Sequence, residues 1–136
     1  MLGQVFVDGA YNYVQNMLRM PGHGLSVRTT RSAGERLYPG RLAVLVGGVL
    51  RPATLPLPLT IAGVVLAIPG VPFYEEGDLV PILRVGEVIV DGVTSDDLDS
   101  VRVTDGGTFV KTGGEVLRDA VARAPFASYS VIEVNF

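Results

Sequence analysis

Val101-Arg-Val-Thr-Asp-Gly-Gly-Thr-Phe-Val-Lys111 is the stretch that decides the fold. Two β-branched or aromatic runs, 101–104 and 108–111, flank Asp105-Gly-Gly107. Aspartate and glycine tolerate the positive backbone angles that a tight reversal needs, so the stretch reads as a β-hairpin. Further along, Tyr129-Ser-Val-Ile-Glu-Val-Asn-Phe136 alternates apolar and polar residues and closes the chain as a strand. Between them, 115–123 is ambiguous. Val116, Leu117, Ala120, Val121 and Ala124 would share a helical face, while Ala120-Val-Ala-Arg suits a strand. Strand is the preferred reading, because the neighbouring elements are strands and the final one needs a partner.

The same pattern extends upstream. Leu25–Arg31 alternates and is rich in β-branched residues. Tyr38-Pro-Gly40 places proline and glycine at the centre of a type II turn. Arg41–Val46 is a second strand, reversed at Gly47-Gly48 into Val49-Leu50, and Thr60–Ile68 is a third, buried one. Leu79–Val85 and Glu87–Asp91 read as a pair turned at Gly86. Many short strands with regular turn signals predict an all-β chain, a small antiparallel β-barrel or sandwich.

Residues 1–24 do not fit that pattern. Tyr11, Val14, Met17 and Leu18 have helical spacing, allowing a short helix over 10–19, and Pro21-Gly-His-Gly24 ends any regular element. The division expected is therefore an extended N-terminal arm, 1–24, and a body, 25–136. Phe6, Tyr11, Tyr13, Met17 and Leu18 give the arm more apolar bulk than a disordered tail carries. Such side chains suit docking into grooves of another surface, with Arg19 and Arg28 at the rim. The alternative is that they fold back onto their own body.

Composition narrows the function classes. The chain has 136 residues, enough for one domain with a real core. It has no cysteine, which removes disulfides, thiolate catalysis and cysteine-ligated metals. Hydrophobic residues make up 48% and charged residues only 18%, with mean hydropathy +0.39, so subunit contact is expected to cover apolar surface. Residues 1–41 hold five arginines against Asp8 and Glu35, a balance of +3. Residues 42–136 hold six basic and twelve acidic side chains, a balance of −6. The arginines are dispersed and Lys111 is the one lysine, which argues against nucleic-acid binding. The uncharged run 52–74 contains five prolines, which argues against a membrane helix. The N-terminus lacks the pattern of a secretory signal, so an intracellular product is the default expectation.

No catalytic, metal or cofactor set emerges. His23 lies between two glycines with no orienting partner in the local sequence. Asp91, Asp96, Asp97 and Asp99 lack the alternate-position spacing of a calcium loop. Glu75 and Glu76 are adjacent and would point to opposite faces of an extended segment. The glycines at 47–48 and 105–107 lack the helix and lysine of a phosphate loop. A non-enzyme with no cofactor is expected.

The wording of the body resembles a known family. Thr29-Thr30-Arg31 is followed by Tyr38-Pro-Gly-Arg41-Leu-Ala-Val, Ile61-Ala-Gly-Val-Val-Leu, Tyr74-Glu-Glu-Gly77-Asp, Val85-Gly-Glu-Val-Ile-Val90 and Val131-Ile-Glu-Val. This order resembles the structural cement, or capsid decoration, proteins of tailed bacteriophages, over roughly residues 25–136. The resemblance implies a non-enzymatic β-barrel protein, made in the host cytoplasm, that binds the outer surface of an icosahedral capsid. It implies homotrimers at threefold positions and the major capsid protein as partner. The alternative is another non-enzymatic virion module, such as a tail or baseplate component. A carbohydrate-binding domain is disfavoured by the absence of tryptophan.

Overall fold

The computed structural model describes residues 26–58, 60–91, 101–125 and 129–136. They form ten strands and, among the described residues, no helix. In chain order these are β1 (Val27–Ser32), β2 (Leu42–Val46), β3 (Val49–Pro52), β4 (Gly63–Val65) and β5 (Leu79–Asp91). Then come β6 (Arg102–Thr104), β7 (Thr108–Val110), β8 (Glu115–Val116), β9 (Ala120–Pro125) and β10 (Tyr129–Asn135). The larger sheet runs β3-β2-β4-β5-β10-β9 with β1 also paired to β5, and the smaller runs β7-β6-β8. All of these pairings are antiparallel.

The two sheets face each other as an open sandwich rather than closing into a barrel. Val103 and Phe109 from the smaller sheet meet Leu42, Val64, Leu83, Val88, Val90, Ile132 and Val134 from the larger in one continuous core. Phe109 is its largest fully buried side chain. Removing one such side chain from water is worth roughly 1.5–3 kcal/mol, which explains why three short strands suffice to hold the second layer. Backbone bonds stitch the layers at one end: Leu42 N donates to Gly107 O at 2.9 Å, and Gly106 N to Ala53 O at 2.8 Å.

A second cluster covers the opposite face of the larger sheet. Ala43, Leu50, Val65, Val80 and Ile82 pack there beneath Ala33, Leu37 and Tyr74. Strand β5 serves both cores through a change of phase. Val27 pairs with Val85 but Arg28 with Leu83, so Arg84 is unopposed along β1. That bulge shifts the alternation by one residue, which lets Leu83 and Val88 face the same core although their spacing is odd.

The 105–107 hairpin, the Gly47-Gly48 reversal and the closing strand 129–135 are as the sequence predicts. The ambiguous 115–123 stretch is strand at both ends, as β8 and the start of β9 with a turn between them, and β9 is the partner that β10 requires. Two expectations are corrected. Gly86 does not turn the chain: β5 runs through it for thirteen residues, with β10 along Val85–Asp91. Its φ of 133° is open to glycine, so the strand bends without breaking. The run 60–68 is buried from Ile61 to Ala67, but only Gly63–Val65 is strand. The arm expected over 1–24, with its short helix over 10–19, lies outside the described residues.

Candidate functional site

One pairing creates the most chemically distinctive surface among the described residues. Leu37 and Tyr74 form an isolated antiparallel bridge, with Leu37 N to Tyr74 O at 3.0 Å and Tyr74 N to Leu37 O at 2.8 Å. Both side chains point inward and are 2% exposed. Alternation then turns their neighbours outward, and antiparallel register sets Arg36 opposite Glu75 and Tyr38 opposite Phe73. The contacts follow that rule. Arg36 Nε donates to Glu75 Oε1 at 2.7 Å, and the Tyr38 and Phe73 rings lie 5.9 Å apart, tilted by 56°. The arginine also stacks on the phenylalanine, its Cζ 4.1 Å from the ring centroid.

The Pro39-Gly40 turn adds the fourth rung. Gly40 has φ 81°, and its N–H donates to Val65 O at 2.8 Å, fixing the reversal against β4. The chain returns with Arg41 Cζ 4.6 Å over the Tyr38 ring. The order is guanidinium, phenylalanine, tyrosine, guanidinium. Each exposed cation–π contact is worth roughly 0.5–1 kcal/mol, and the aromatic pair a similar amount. Their larger effect is to hold long side chains in one arrangement. The hydrogen bond to Glu75, and then the Tyr38 side chain, raise the Arg36 pKa, so the guanidinium stays charged while the Glu75 carboxylate offsets it.

Beside the ladder is a concavity of about 80 Å³, with Leu42, Pro52 and Val65 beneath and Arg36, Tyr38 and Arg41 around it. Leu42 and Val65 are fully buried, whereas Tyr38 is 37% exposed. Behind the ladder, Tyr74 OH donates to Leu66 O at 2.5 Å, and burial pushes its pKa up to about 12. An aromatic, arginine-flanked, pre-positioned surface of this kind is suited to protein contact.

A second feature concerns the proline-rich segment after β3. Leu55 N donates to Asp105 Oδ1 at 2.7 Å, and Leu57 N to Glu115 Oε2 at 3.1 Å. Two carboxylates on the smaller sheet thereby clasp a segment that has few amide hydrogens of its own to pair. Apolar side chains also reach solvent at the β2–β3 tip, where Val46 is 52% exposed, and at Leu79, which is 69% exposed.

Of the residues singled out as partner anchors, Phe6, Tyr11, Tyr13, Met17, Leu18 and Arg19 lie outside the described residues, as does His23. Arg28 is on β1, exposed, opposite Leu83. Asp91 ends β5, while Asp96, Asp97 and Asp99 are again outside. Glu75 is engaged by Arg36. Among the described residues no group of three histidine or acidic side chains could hold a metal ion. The ladder escaped the sequence reading because its halves are over thirty residues apart. Its one local signal is Arg36-Leu-Tyr-Pro-Gly-Arg41, in which both arginines flank a turn tyrosine.

No family model and no curated protein matches the chain. Among solved structures, a chain of "The capsid of Myoviridae Phage XM1" has the same fold, with TM-score 0.70 and 16% identity. The match covers 86% of this chain and 88% of that one.

Proposed function

We propose that this chain is a structural, non-enzymatic component of a tailed-phage virion. In this reading it sits on the outer capsid surface as a homo-oligomer, a trimer by the family resemblance, and ties neighbouring major capsid proteins together. The observation that carries the proposal is the shared fold with a phage capsid chain along most of both molecules. The order of turn glycines and strand residues in 25–136 resembles that of capsid decoration proteins and independently supports the same class.

The physical character of the surface fits an assembly protein. Leu79, Val46 and Val121 are open to solvent on strands or at strand ends, where protein contact would remove them from water. The Arg36–Phe73–Tyr38–Arg41 ladder supplies residue types that dominate interface energetics, already ordered before any partner arrives. The test is rebinding. Purified protein mixed with expanded capsids that lack it should co-sediment to saturation, at a fixed ratio to coat protein. Binding to isolated tails or baseplates, and none to capsids, would move the protein to another part of the virion.

A further inference from the structure

We propose that the tip of the β2–β3 hairpin, led by Val46, is a knob that docks into an uncharged apolar cleft of the coat protein. It names the contact made in the proposed capsid attachment, and it rests on that reading.

The tip projects beyond both cores. Val44 belongs to the core shared by the two sheets, and Ala43 and Leu50 to the core on the opposite face. The next two residues of β2 leave them: Leu45, opposite Leu50, is 37% exposed, and Val46, opposite Val49, is 52% exposed. Successive strand residues point to opposite faces, so exposure of both places the tip outside both layers. Strand β4 pairs with β2 at Leu42 and Ala43, the base of the hairpin. Gly47 and Gly48, with φ 62° and 84°, close the turn as a type I′ reversal requires. A Cβ at either would meet nothing within 4 Å.

One side of the hairpin is buttressed. Gly34 N donates to Leu50 O at 2.7 Å, and a Cβ on Gly34 would stand 2.6 Å from Val49 Cγ2. Val49 therefore rests directly on the Gly34 backbone, while Val46 across the turn is left open. The knob has its shape before a partner arrives, which lowers the ordering cost of docking.

The chemistry of the tip selects its seat. From Leu42 to Tyr74 the sequence holds one charged residue, Arg51, whose side chain lies 3.8 Å from Glu35. Leu45-Val-Gly-Gly-Val49 offers a partner no polar side chain, so its seat must be apolar. Another copy of this chain is a poor seat. The concavity beside the ladder is rimmed by Arg36 and Arg41. One lined by Leu57 and Ile61 carries Glu115, Arg118 and Asp119, and one lined by Val85 and Val121 carries Arg118, Asp119 and Glu133. An uncharged tip would strip water from those charges and return no partner. A different protein with an apolar cleft meets the requirement, and for a protein mounted on a shell that protein is the coat subunit.

The experiment titrates the full chain against expanded capsids that lack it, read by co-sedimentation. Folding is checked by circular dichroism, and self-association by sedimentation velocity without capsids. V46D should weaken capsid attachment by at least about tenfold, with fold and self-association as in wild type. V116D puts the same charge on β8, where Val116 is 45% exposed, and should bind like wild type. The proposal is overturned if V46D binds capsids like wild type, or if V116D weakens attachment as much. It is also overturned if V46D disrupts self-association, which would make a second copy the seat. Wild type that fails to bind capsids would overturn the capsid assignment and this inference together, whereas undiminished binding by V46D removes the knob alone.

Discussion

Replacing Gly107 by alanine tests the coupling between the two sheets. Gly107 has φ 78°, and a Cβ there would stand 2.1 Å from Leu42 O and 2.9 Å from Leu42 N. No real contact is that short, so the turn must back away from β2. Doing so breaks the bond from Leu42 N to Gly107 O, and Leu42 is fully buried. An unsatisfied buried amide costs roughly 1–3 kcal/mol. The left-handed backbone adds about 1 kcal/mol for any residue with a Cβ. Gly107→Ala should therefore lose roughly 2–4 kcal/mol. Gly113 is the matched control, with φ 79° and nothing within 4 Å of its would-be Cβ. Gly113→Ala should lose only the backbone part, about 1 kcal/mol. Urea unfolding followed by far-UV circular dichroism measures both. Equal losses at the two positions would refute the claim that Gly107 is a point of close approach between the layers.

Other outcomes follow from the same geometry. Tyr74 has its pKa raised by burial from 10.0 to about 12, so the unfolded chain ionises first and stability should fall as pH rises from 10 to about 12. Tyr74→Phe should remove that dependence, and phenolate absorbance alongside unfolding curves would reveal a contrary result. Asp105→Ala should release the Leu55 amide, speeding its hydrogen exchange and costing roughly 0.5–1.5 kcal/mol, whereas Asp105→Asn keeps an acceptor oxygen and should cost less. Deleting residues 1–20 should leave the body folded while weakening capsid attachment by more than about tenfold, because a few apolar anchors carry most of an interface. A body unfolded by that deletion would place Phe6, Tyr11 and Tyr13 in its own core, and undiminished binding would remove the arm from attachment.

The sequence disclosed what is local. A hairpin is written in Asp105-Gly-Gly107, a reversal in Gly47-Gly48 and a closing strand in 129–135, because each depends on neighbours a few residues apart. Gly86 misleads for a related reason: glycine marks a turn, a bulge or a bend alike, and only the partners of β5 decide among them. The run 60–68 shows the limit of hydrophobicity as a signal. Burial of Ile61–Ala67 is legible, but the extent of strand is set by partners, and Leu66 O is taken by the Tyr74 hydroxyl. Sandwich against barrel turns on how edges meet, which no local pattern records. The ladder was illegible because the Leu37–Tyr74 register, not proximity in sequence, brings its members together.

In the proposed function this β-sandwich is mounted on the outside of a capsid and bridges coat subunits. A cryo-electron reconstruction of capsids with and without bound protein tests it directly. Bound protein should add density on the outer surface, fitted by the two-sheet body, with each oligomer touching more than one coat subunit. Density inside the shell, or on one coat subunit alone, or confined to the tail, would contradict it.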